Sequence, residues 1–175
     1  MQALLISFMA TNIVHGYLVL HERGNGRSTL SERAVQHRLT YMAYVFAHMI
    51  GGLAFGVFAY NIFWLQNSNL VLTSLAFAGV LTQWAQAVVP DKGKYGVIHT
   101  ALAFAMSGFI ILLSIGAIFG LPLPTATRFL LLGIELIILA GYPMVTMLPY
   151  KYFWILQIIN INLFYLQMFI VLLTF

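Results

Sequence analysis

Glu135 is set well inside an apolar run, Phe129-Leu130-Leu131-Leu132-Gly133-Ile134-Glu135-Leu136-Ile137-Ile138-Leu139. A charged glutamate surrounded by hydrocarbon costs several kcal/mol, so it has to be protonated, paired or turned toward a watery cavity. Arg128 lies seven residues earlier on the same helical face, about 10 Å away, too far for contact unless its side chain reaches inward. Of all single positions, Glu135 is the first candidate for ligand binding.

A second set of polar residues falls at one depth near one end of several apolar runs. His15 lies about six residues, roughly 9 Å, from the end of the first run. Gln83 and Gln86 share a helical face at i, i+3 spacing, Asp91 follows them, and His99 lies in the first turns of the next run. Gln157 and Asn160 sit at matching depth in the last run. Two histidines and a carboxylate in one layer can form a ligand pocket or handle protons. The structural alternative carries more weight: amide side chains bond membrane helices together. On that reading Asp91 caps the following helix, whose first N–H groups lack partners, and His99 bonds a nearby carbonyl.

His48 falls close to the middle of a run rich in small residues. Ala43, Ala47 and Gly51 recur every four positions, as do His48, Gly52 and Gly56. Small residues let helices approach closely, so His48, Gly52 and Gly56 read first as a packing face, with His48 bonding a polar group across it. Gln157, Asn160 and Gln167 form a stripe on one side of the last run, facing the bundle or another subunit. Ser7, Thr11 and His15 form a weaker stripe in the first.

Several chemistries are excluded. The absence of cysteine removes disulfides, thiolate ligands and cysteine nucleophiles. HExxH, a phosphate-gripping glycine loop and a serine elbow are all missing. With four acidic residues in total, two of them in the first loop, a two-carboxylate hydrolytic mechanism is not expected. The expectation leans away from an enzyme and includes no metal site.

These residues need membrane helices to position them. Of 175 residues, 62% are hydrophobic and 7% charged, whereas a soluble domain carries about 25% charged residues. Lipid is the solvent that makes such a composition reasonable. Six stretches approach the roughly 20 residues that cross a bilayer: 2–20, 39–65, 70–89, 95–119, 128–148 and 152–175. The expected fold is an all-α, six-helix integral membrane bundle forming one domain over 1–175, with short loops and one longer first loop. The first stretch lacks a basic start and a small-residue cleavage site, and reads as a retained helix. Ser28 or Ser31 is the expected cap of a short surface helix in the first loop. Pro143 lies inside the fifth stretch and should kink it.

The net charge of +4 is spread over short loops and does not suggest a nucleic-acid partner. Loops 21–38, 90–94 and 149–151 lie on one side and hold seven of the eight Lys and Arg residues, leaving Arg128 on the other. The positive-inside rule makes the first side cytoplasmic.

The run Val89-Pro90-Asp91-Lys92-Gly93-Lys94-Tyr95-Gly96-Val97-Ile98-His99 resembles the Pro-Asp…Gly…His signature of a family of six-helix prokaryotic membrane proteins, domain of unknown function 998. Ser28-Thr29-Leu30-Ser31-Glu32 is similar to that family's Ser-Glu motif, and the DRAM-like family shares the layout. Val89 stands where the family has an aromatic residue, and Arg33 where it has a small apolar one. The resemblance implies a prokaryotic cytoplasmic membrane, marks Asp91 and His99, and supplies no activity. It also implies an outward first loop, opposite to the charge count.

The first functional expectation is a lipid or small apolar ligand held in the bundle near Asp91, His99, Glu135, His15, Gln83 and Gln86. The alternative is an accessory subunit of a larger membrane complex, or a self-associating chain, using the small-residue face and the stripe of the last helix. A b-type haem with His15 and His99 as axial ligands is weaker, as is a lipid-modifying enzyme using His99 with Asp91. Membrane lipids are partners on every reading.

Overall fold

A computed structural model describes residues 1–21, 29–147 and 153–174. Among them the structure is all helical. In chain order the helices are α1 (Gln2–His21), α2 (Leu30–Ala34), α3 (Arg38–Ala59), α4 (Leu70–Val88), α5 (Gly96–Gly120), α6 (Thr125–Met147) and α7 (Phe153–Thr174). α3 runs on through a π-helical turn, Tyr60–Gln66, and a short 3₁₀ turn, Gly93–Tyr95, leads into α5. All but α2 are long and apolar enough to cross a membrane, which makes the protein a polytopic membrane protein with six spans.

The distribution of side chains shows which medium surrounds the bundle. Leu39, Val97 and Leu173 point outward at 81%, 79% and 79% exposure, while Ser7, Thr11, His48 and Gln167 are buried. Apolar groups face outward and polar groups pair inside, as hydrocarbon demands. Each long helix packs against the next, α1 against α3, and α7 returns to α1 and α5. Leu4, Phe63, Leu72, Leu113, Leu131 and Met168 meet in the centre.

The expected stretches match these spans to within three residues at each described end. The largest shift is at α6, which starts at Thr125 instead of Arg128. Pro124 supplies the carbonyl that Arg128 N–H bonds at 3.0 Å, so the turn before Arg128 is already wound. The α3–α4 connection is tight. Asn69 accepts from Leu72 N–H at 3.0 Å and caps α4, and Ser68 adopts φ of 49° to close the turn. Ser28, Leu148, Lys151, Tyr152 and Phe175 lie outside the described residues.

The first loop contains α2, but its cap is Thr29, not Ser28 or Ser31. Thr29 Oγ1 accepts from Glu32 N–H at 3.0 Å, and Glu32 Oε2 accepts from Thr29 N–H at 3.2 Å. This reciprocal pair is a capping box. A helix of five residues is too short to hold itself together in water, so its stability comes from what it docks against.

Candidate functional site

Asp91 is that docking point. It lies in the turn between α4 and α5, where its Oδ2 accepts from Ser31 Oγ at 2.9 Å and from Thr29 Oγ1 at 3.1 Å. The expectation that Asp91 caps the following helix is therefore corrected. The N-cap position of α5 is Tyr95, with no side-chain cap, and the Asp91 carboxylate holds α2 instead. Gln157 of α7 adds to the dock by accepting from Leu30 N–H at 3.1 Å. The Arg33 guanidinium stacks 5.2 Å from the Trp154 ring, a cation–π contact that suits a buried arginine. Burial lowers its pKa from the ordinary value, and it stays charged at any physiological pH.

Behind Asp91, His99 is buried and spends both ring nitrogens. Nδ1 lies 2.7 Å from the Val89 carbonyl, and Nε2 lies 3.1 Å from Gln86 Nε2. A carbonyl only accepts, so Nδ1 carries the hydrogen and Nε2 of the neutral ring accepts from the amide. Asp91 Oδ2 is 3.8 Å from Nε2, beyond hydrogen-bond length. Gln86, Asp91 and His99 are thus brought together. Gln83 stays partly exposed one turn away, with no hydrogen bond among the described residues.

His15 pairs with His48, their rings 5.4 Å apart. His48 Nδ1 lies 2.9 Å from the Tyr44 carbonyl of its own helix, so its bond runs along α3. The cross-helix bond expected of it is not formed by that nitrogen. The α7 stripe divides between two neighbours: Gln157 serves α2, while Asn160 packs beside Gly141 of α6 and Gln167 also reaches α6. Glu135, buried to 3% exposure, accepts from Gln167 Nε2 at 3.0 Å. Arg128 turns away and donates to the Leu121 carbonyl at 3.1 Å. Among the described residues no three of His, Asp and Glu gather to hold a metal ion.

No family model, curated protein or solved structure matches the chain. Its own geometry carries the functional reading.

The feature missed by the residue patterns is a groove between α3 and α4. It is partly open, holds about 340 Å³ and is lined by Gly52, Gly56, Tyr60, Phe77, Leu81 and Trp84, with Leu53, Val57 and Val80. Gly52 and Gly56 form its floor. A Cβ added at Gly52 would sit 2.4 Å from Trp84 Nε1, and one at Gly56 would sit 3.4 Å from Phe77 Cε1. Trp84 packs against Gly52 and Phe77 against Gly56, and between these aromatic walls a slot is left. The i, i+4 glycines signalled the close approach; nothing in the spacing of Phe77, Leu81 and Trp84 signalled the slot.

Proposed function

We propose that the protein binds an acyl chain of a membrane lipid in the groove between α3 and α4. The groove's shape carries this reading. Gly52 to Tyr60 spans about 12 Å of helix. Over that length the groove holds about 340 Å³. A narrow slot of this kind between aromatic walls suits a single extended hydrocarbon chain. Its lining is almost wholly carbon, which suits a chain and not a headgroup. Tyr60 lies near the α4-proximal end of the span, where aromatic residues sit at the membrane interface. A lipid of that leaflet would enter there and direct its tail toward Gly52 and Trp84. Because lipid tails are as apolar as the groove, the affinity comes from packing against the walls and not from the hydrophobic effect. By charge, the leaflet opposite Tyr60 is cytoplasmic.

Native mass spectrometry of protein released from defined lipid vesicles tests the reading. Leu81→Trp and Gly56→Leu fill the slot and should weaken lipid retention at least about tenfold, or about 1.4 kcal/mol. Leu136→Trp, on an outward face of α6, should retain lipid as the parent does. Equal retention by all three variants contradicts the proposal, and so does a stable second copy of the chain in place of lipid.

A further inference from the structure

The geometry points to Glu135 as a proton-binding site inside the membrane, a carboxyl group that carries its proton on Oε1 and donates it to Oε1 of Gln167. The inference does not depend on the α3–α4 groove.

Glu135 stands about midway along α6, and both side chains are nearly fully buried, at 3% for Glu135 and 1% for Gln167. The Gln167 amide nitrogen donates twice, to Glu135 Oε2 at 3.0 Å and to the Leu131 carbonyl at 3.2 Å. The Leu131 carbonyl can only accept, so it fixes which end of the amide faces α6. Among the described residues, two acceptors then remain without a hydrogen-bond partner: Glu135 Oε1 and Gln167 Oε1. Buried acceptors of this kind need a donor. A carboxylic acid set against a primary amide makes two parallel bonds, N–H···O on one side and O–H···O on the other. The first bond is present. A single proton on Glu135 Oε1 supplies the donor that both remaining oxygens lack, and it removes a charge that hydrocarbon does not tolerate. Proton uptake converts carboxylate to carboxylic acid and requires no other reactant.

Among the described residues, the surroundings offer no competing charge. On α6, Arg128 lies two turns away and donates to the Leu121 carbonyl; Tyr142 is the other titratable group of that helix. On α7 the one titratable group is Tyr165, which bonds Ser7 and Thr11 of α1. On α5 it is His99, held at the far end by Val89 and Gln86. Ser114 of α5 is buried with its hydroxyl unpartnered.

Infrared spectroscopy of the protein in lipid vesicles reads the proton directly. With ¹³C-labelled glutamate only Glu22, Glu32 and Glu135 carry the label. At neutral pH and without sodium, a labelled protonated-carboxyl band should appear, shift in D₂O and be lost in Glu135→Gln. In Gln167→Leu it should move to higher frequency, because its acceptor is gone. The labelling works in the unsubstituted protein, so poor folding of either variant does not remove the test. A labelled spectrum showing only carboxylate bands overturns the proposal. So does a protonated band that added sodium converts to carboxylate at constant pH, which would make the site one for a metal cation.

Discussion

Ser31 Oγ donates to Asp91 Oδ2 at 2.9 Å, joining two loops sixty residues apart in the chain. The bond ties α2 to the turn between α4 and α5 and so seats a polar segment against the end of the bundle. Asp91 also accepts from Thr29, and His99 lies beside it. Hydrogen bonds to a charged acceptor contribute about 1.5–3 kcal/mol. Asp91→Ala should therefore free α2 and expose residues 29–36 to proteolysis from the loop side. Limited proteolysis in vesicles, with Ser31→Ala and the double variant to measure coupling, checks this; the coupling should be about 0.5–3 kcal/mol.

The capping box makes a separate prediction. Thr29→Ala removes the acceptor for Glu32 N–H and the donor to Asp91. Loss of such a cap costs about 1 kcal/mol. Thr29→Ser keeps both bonds and should behave as the parent in thermal unfolding. A Thr29→Ser variant as weak as Thr29→Ala would show that the methyl group, not the hydroxyl, matters.

Glycines in this protein divide by what surrounds them. A Cβ at Gly52 would overlap Trp84, whereas Gly108 and Gly133 have nothing within 4 Å. Gly52→Ala should destabilise the α3–α4 packing by about 1–3 kcal/mol, the usual cost of overpacking. Gly108→Ala and Gly133→Ala should stabilise their helices by roughly 0.5–1 kcal/mol. Unfolding in mixed micelles ranks the three.

Gln83 and Gln86 give a matched pair. Gln86→Leu leaves His99 Nε2 without its amide donor, and a buried polar group left unpaired costs about 1–3 kcal/mol. Gln83→Leu removes no hydrogen bond among the described residues and should be near neutral. Comparable losses from both would mean that the layer acts through something other than the His99 bond.

The sequence makes the six spans plain, because uninterrupted apolar runs bounded by Pro90, Pro122, Pro124 and charged loops have few other solutions. The cap of α2 is legible too: Thr29-Leu30-Ser31-Glu32 has the Thr-x-x-Glu spacing of a capping box, although Ser28 and Ser31 beside it have comparable cap preference. The π-helical turn at Tyr60–Gln66 left no mark, since no proline or small-residue break announces it. Glu135 stood out by the cost of burying it, and Asp91 as the carboxylate of the polar layer. The pairings did not, because the match of Asp91 to Ser31, or Glu135 to Gln167, depends on helix rotation and register that composition leaves open. The groove was hidden for the same reason: its walls come from residues that are ordinary in a membrane helix.

Site mapping with a photoactivatable lipid tests the acyl-chain reading most directly. A phospholipid bearing a diazirine near the end of one chain, incorporated in vesicles with the protein and irradiated, should label peptides containing Gly52 to Tyr60 and Phe77 to Trp84. Leu81→Trp should abolish that enrichment. Labelling spread evenly over the outward faces of all six spans, with no excess between α3 and α4, would contradict the account.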